Sequence, residues 1–209
     1  TETTTLHLSD ETLAKSYTYP EYRDMIDRLL EEGKTTGDNH SEFMLHYTKM
    51  NQTRMKRLDK RSELDPDLKE KLEGLDRKLY WLVLTEGWCG DAAQNLPILH
   101  KMVEVSPYIE MRLILRDENL EIMDQFLTNG KSRSIPKLVC LDPETDEVLG
   151  TWGPRPQAAQ ELYLELKEDG EVSTETAAEY LHKWYADNKN EEIQKEFNEL
   201  IDQWATVEV

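Results

Sequence analysis

The stretch Leu79–Met102, LYWLVLTEGWCGDAAQNLPILHKM, constrains this chain more than any other. It opens with a continuous apolar run, Leu79–Leu84, carrying the Tyr, Trp and Val content of a strand buried on both faces. Glu86-Gly87 breaks the run and Trp88-Cys89-Gly90-Asp91 follows, after which Leu96, Leu99, Met102 and Val103 recur at helical spacing. A cysteine therefore stands where a strand hands over to a helix N-terminus. The free backbone N–H groups and the helix dipole there favour negative charge. The placement predicts a thiol of depressed pKa, more thiolate and more nucleophilic at neutral pH.

Trp88-Cys89-Gly90 after a buried strand resembles the active-site turn of the thioredoxin family. Pro97, eight residues after Cys89, falls where thioredoxins carry the proline that kinks their active-site helix. Ser134-Ile135-Pro136, ahead of the apolar Lys137–Leu141, is similar to their Ile-Pro, whose proline is cis and packs beside the reactive sulfur. The resemblance implies an α/β, thioredoxin-like fold, a central mixed sheet flanked by helices, with Cys89 as its reactive sulfur. It also implies that Trp88, Gly90, Asp91, Ile135 and Pro136 border the substrate. The loop Gly153-Pro154-Arg155-Pro156 matches the one beside the cysteine in thioredoxins. Arg155 there would stabilise a thiolate or an incoming carboxylate, or would stand as a surface cation before a proline-started helix.

Two positions depart from that pattern. The family motif is Cys-x-x-Cys, and Ala92 occupies its fourth position, so the resolving thiol is missing. The buried acid that thioredoxins carry six residues before the cysteine is here Val83. Glu86 is closer in sequence but is expected in a solvated turn. Asp91 suits the helix dipole, yet its charge beside Cys89 opposes thiolate formation. Cys140, inside LVCL, reads as a small core hydrophobe. Four residues beyond Pro136, it lies too far along its strand for a disulfide with Cys89.

Three segments follow from the patterning: a helical N-terminal extension over 1–75, the thioredoxin-like domain over 76–170, and a helical C-terminal extension over 171–209. In the first, Ser9 caps a short turn, Thr18 and Glu21 form a capping box with Pro20 in the first turn, and Gly33 stops that helix. The next helix, about Ser41 to Lys60, carries Phe43, Tyr47, Met50 and Leu58 on a stripe expected to face the core. Its other face is basic, with Lys49, Arg54, Lys56, Arg57, Lys60 and Arg61, and either receives an acidic partner or complements the protein's own acidic surface. Asp65-Pro66 starts a short helix that Gly74 ends.

Strands and helices then alternate: strand 79–85, helix 90–105, strand 109–115, helix 118–127, strand 137–141, strand 147–151, helix 156–167. The alternation predicts parallel strands with right-handed crossovers, closed by an antiparallel hairpin through Asp142-Pro143. In the last segment Leu181, Trp184 and Tyr185 form one apolar patch, and Ile193, Phe197, Leu200, Ile201 and Trp204 form another. Asp187–Asn190 breaks the helix between them. The patches pack on the core or, alternatively, pair two copies through the C-terminal helix.

The formal net charge of −18 argues against nucleic-acid backbones and anionic membranes as partners, and no apolar run approaches the roughly 20 residues a membrane span needs. Five scattered histidines and two cysteines give no metal-ligand spacing, so no metal or resident cofactor is expected. The chain starts at Thr1, which fits a cytosolic protein and also an exported one whose signal has been cleaved; the expectation is cytoplasmic.

Three functions suit a lone Cys89. As a monothiol thioltransferase or thiol-disulfide oxidoreductase, it would react with a thiol- or disulfide-bearing protein or small thiol. A low-molecular-weight thiol would then act as co-substrate and resolve the mixed disulfide. As a redox-inert adaptor, the fold would bind a peptide. As a sensor, Cys89 would oxidise to sulfenic acid without turnover.

Overall fold

The computed structural model describes residues 2–207. Strand β1 (Leu79–Thr85) occupies the interior of a four-stranded sheet of order β2-β1-β3-β4. Its neighbour β2 (Ile109–Leu115) runs parallel to it, β3 (Lys137–Leu141) runs antiparallel on the other side, and β4 (Val148–Trp152) closes the far edge antiparallel to β3. Helix α5 (Gly90–Val105) supplies the right-handed return between β1 and β2. This mixed sheet, flanked by helices, is the α/β thioredoxin-like fold.

The direction of β3 corrects the expectation of parallel strands. Between β2 and β3 the chain forms a 3-10 turn, Arg116–Glu118, and a single-turn helix, α6 (Leu120–Met123), where a helix over 118–127 was expected. Four residues of helix advance about 6 Å, whereas a seven-residue strand is about 23 Å long. The segment cannot carry the chain back to the start of β1. Strand β3 therefore begins where β1 ends, with Lys137 paired to Leu84, and this brings Pro136 beside Cys89.

The N-terminal segment forms α1 (Asp10–Ala14), α2 (Tyr19–Glu31), α3 (Glu42–Arg61) and α4 (Pro66–Glu73). The Thr18–Glu21 capping box is complete, and Ser9 and Ser41 cap their helices through side-chain oxygens. Helix α3 departs from the expected register. Its buried residues are Thr48, Asn51 and Met55, while Phe43 is 56% exposed. Polar contacts set this rotation: the Asn51 side-chain amide donates to the Gly87 carbonyl at 3.0 Å, and Thr48 hydrogen-bonds Thr35 at 2.7 Å. Helix α3 thus packs beside α5 through groups that a hydropathy stripe does not register.

After β4 come α7 (Gln157–Glu168), α8 (Thr174–Asn188) and α9 (Glu191–Ala205), with Lys189 and Asn190 in the left-handed conformation at the break between the last two. The apolar stripe of α9 is satisfied within the chain: Phe197 and Trp204 pack against Trp81, and Phe197 meets Trp152 as well. No helix among the described residues is long and apolar enough to cross a membrane.

Gly150 in β4 admits this packing. A Cβ there would come within 2.5 Å of Nε1 of the buried Trp204 indole. Gly150→Ala is expected to cost about 1–3 kcal/mol by overpacking. Gly170→Ala, with nothing within 4 Å of its added carbon, serves as the near-neutral control. Denaturant unfolding of the pair checks this, and equal stabilities would show that α9 is not docked on β4.

Candidate functional site

Cys89 is the N-cap of α5, as the strand-to-helix spacing requires. Its sulfur accepts the Ala92 N–H at 3.4 Å, and its S–H donates to the Ile135 carbonyl at 3.3 Å. The Ile135–Pro136 bond is cis. Both residues are buried. Cys140, fully buried in β3, is the second free cysteine.

The expected depressed thiol pKa is overturned. Burial pushes the Cys89 thiol up to about 12, the Asp91 charge adds to the rise, and the Ala92 N–H and Arg155 oppose it without prevailing. A helix N-terminus offers only about half a charge. Removing a thiolate from water costs more than that partial charge and one weak N–H donor return.

Asp91 and Arg155 lie together, though not as a thiolate-stabilising pair. Arg155 donates to the two Asp91 oxygens at 3.2 and 2.8 Å, so its charge is spent on the carboxylate. Tyr185, from α8, donates to the same carboxylate at 2.6 Å, and Asn95 donates to both the Tyr185 oxygen and the Asp91 carbonyl. Arg155 also reaches Gln160 and lies over the Tyr163 ring, 4.2 Å from its centre.

Trp88 is half-buried, with the Arg116 guanidinium 5.1 Å from its ring centre. Glu86, expected in solvent, is fully buried. It accepts the Thr36 hydroxyl and, at 3.1 Å, the Asp117 N–H; burial raises its pKa. The Thr36 hydroxyl in turn accepts the Gly87 N–H at 2.9 Å. Glu86 therefore fixes the turn before Trp88 rather than meeting solvent.

A cavity of about 710 Å³ opens over Cys89, Trp88, Gly90 and Asp91. Besides Tyr163, much of its wall comes from outside the expected 76–170 core: Phe43 and Tyr47 from α3, and Leu181, His182 and Tyr185 from α8. His182 sits beside Gly90, and its Nδ1 is buried without a hydrogen-bond partner. Burial, with Arg54 adding, lowers its pKa to about 4, so it is neutral at pH 7. A thiol near 12 and an imidazole near 4 do not form a thiolate–imidazolium pair at rest.

Sequence reading missed these wall residues. The heptad-like recurrence of Leu181 and Tyr185 marked an apolar patch, but nothing local indicated that it would be laid over a cysteine ninety residues earlier.

A family model described as Thioredoxin matches residues 37–169. The match takes in α3 and α4 as well as the sheet. Among solved structures, an HIV epitope-scaffold is 24% identical, with a TM-score of 0.54 over 84% of this chain and 96% of its own. A protein of unknown function from Pseudomonas aeruginosa is 21% identical, with a TM-score of 0.53 over 89% and 98%. No curated protein matches in sequence.

Asp91 controls both stability and the thiol. The Arg155–Asp91 pair leaves side chains only 10% and 14% exposed. Asp91→Asn is expected to destabilise the protein by about 3–5 kcal/mol, because the Arg155 charge stays buried without its counter-ion. The same change removes one cause of the raised thiol pKa, so Cys89 alkylation should become faster at pH 8 in whatever fraction remains folded. Unchanged stability together with unchanged alkylation would refute this role.

Proposed function

This chain belongs to the thioredoxin family, and we propose that within the family it is a ligand-binding member whose one active-site cysteine is held as a thiol. The observation that carries this reading is the position of Cys89: its sulfur lines a cavity of about 710 Å³ instead of lying exposed beside a second cysteine. That volume is in the range of small-molecule sites, roughly 300–1,000 Å³.

The cavity wall is mainly aromatic and aliphatic. Its acid Asp91 is already met by Arg155 and Tyr185, its imidazole is neutral, and Glu175 is exposed. A small, uncharged, largely apolar molecule suits such a wall. An extended peptide does not, because Ile135 and Pro136 are buried and do not line the cavity.

The raised thiol pKa supports this reading over catalysis. At pH 7 a thiol of pKa about 12 is thiolate in about 1 part in 10⁵, against about 1 in 30 for a free cysteine. The higher intrinsic nucleophilicity of the more basic sulfur recovers roughly 40-fold. Cys89 in this environment would thus attack a disulfide about 100-fold more slowly than a free cysteine. An exchange catalyst needs the opposite.

The second reading is monothiol exchange, favoured by the Ala92 N–H aimed at the sulfur and by the cavity over it. In that reaction the Cys89 thiolate attacks a disulfide R–S–S–R′, forming Cys89–S–S–R and releasing R′S⁻. A low-molecular-weight thiolate R″S⁻ then takes R as R–S–S–R″ and restores the Cys89 thiolate. At rest the Cys89 S–H donates to the Ile135 carbonyl, which does not take up its proton.

Alkylation of the native protein by iodoacetamide across pH 6–11, with Cys89→Ser assigning the site, separates the two. The binding reading expects a rate below that of free cysteine at pH 7 and rising without a plateau to at least pH 10. A plateau below pH 8, together with a stable mixed disulfide on Cys89, would transfer the assignment to monothiol exchange.

A further inference from the structure

The basic face of α3 does not complement the protein's own acidic surface. Ion pairs are distributed over the rest of the molecule, yet among the described residues none involves Lys49, Arg54, Lys56, Arg57, Lys60 or Arg61. In a chain with 43 acidic residues against 25 basic ones, that is an unusual gap. The one acid in this stretch, Asp59, faces α2, where Arg23 and Tyr19 engage it.

Arg57 and Arg61, four residues apart on one helical face, line a groove of about 420 Å³ between the end of α3 and the α8–α9 break. Across it stands Lys189, held in the left-handed conformation. Ser62, Gln94 and Tyr185 also line it, and Glu63 is its one acid. Gln94 is only 5% exposed and its side chain makes no hydrogen bond among the described residues, so the small surface its amide keeps is free for a ligand. The groove therefore collects three cations and a nearly buried amide without a protein partner, with a single carboxylate against them.

We propose that this groove binds a compact multivalent anion, a phosphate or polycarboxylate compound, held by Arg57, Arg61 and Lys189 and hydrogen-bonded by the Gln94 amide. Guanidinium groups suit this because their donor forks match the oxygen pairs of both ligand types. The net charge of −18 selects for compactness. Its field is screened within about 8 Å at physiological ionic strength, so a small anion meets the local cations. An extended polyanion would run onto the surrounding acids. The site is separate from the cavity over Cys89, and its occupancy does not depend on whether that cavity binds or catalyses.

Calorimetric titration of the full chain with inorganic pyrophosphate, citrate and a twenty-nucleotide single-stranded DNA tests the proposal. We expect saturable binding of pyrophosphate or citrate that weakens as salt rises. The tighter of the two identifies the ligand as phosphate or carboxylate. Arg57→Ala and Arg61→Ala, both at exposed positions, should each weaken binding at least tenfold while thermal midpoints stay within a few degrees. Gln94→Leu should weaken it severalfold, and Lys15→Ala, at the C-cap of α1, should leave it unchanged. The proposal is overturned if neither small anion binds, if the arginine variants bind as tightly as the parent, or if the DNA binds more tightly than both.

Discussion

The Asp91 carboxylate joins three parts of the chain that the sequence separates widely. It lies in the first turn of α5, and it collects Arg155 from the loop after β4 and Tyr185 from α8. Asn95 closes the arrangement by donating to Tyr185 and to the Asp91 backbone. Each member satisfies a polar group that would otherwise be buried at a cost of about 1–3 kcal/mol, more for the charges. Without this node α8 has less reason to lie over the Cys89 turn, and the cavity would lose the wall containing Leu181, His182 and Tyr185. The node also bears on the chemistry: burial keeps the Cys89 sulfur protonated, and the fixed anion beside it adds to that.

The local grammar of the chain was readable in advance because it depends on neighbours in sequence. The buried strand, the cysteine at the helix start, the Thr18–Glu21 box and the break at Asp187–Asn190 are all short-range features. The features that escaped depend on long-range partners. Glu86 looks like a turn residue, and only Thr36 and the Asp117 N–H, 50 and 31 residues away, make a buried carboxyl tolerable. The rotation of α3 was misread because its anchors are Asn51 and Thr48, which hydropathy counts as surface. The thiol was misjudged for a related reason. Position at a helix terminus is written in the sequence, but the depth of burial that outweighs it is not.

Of the site residues read from sequence, Trp88, Cys89, Gly90 and Asp91 do share one cavity. Ile135 and Pro136 are buried and do not line it, and Arg155 is bound to Asp91 instead of facing a ligand. The helices outside the sheet change what the turn can do. In the sheet alone the Cys89 face would open to solvent; here α3 and α8 cover it. The Asn51 amide on the Gly87 carbonyl and the Thr36 hydroxyl on the Gly87 N–H hold the backbone on the strand side of the turn. Polar capture of a turn by residues distant in sequence costs little entropy, because the captured backbone is already ordered by β1 and α5.

Tyr185 lines both the cavity over Cys89 and the groove beside Arg57 and Arg61. The two sites therefore share one side chain, which is buried and hydrogen-bonded. Their characters diverge for a simple electrostatic reason. On the cavity side the charges cancel within the protein, Asp91 against Arg155, so apolar surface decides what fits. On the groove side the cations of α3 are left without counter-ions, so charge decides.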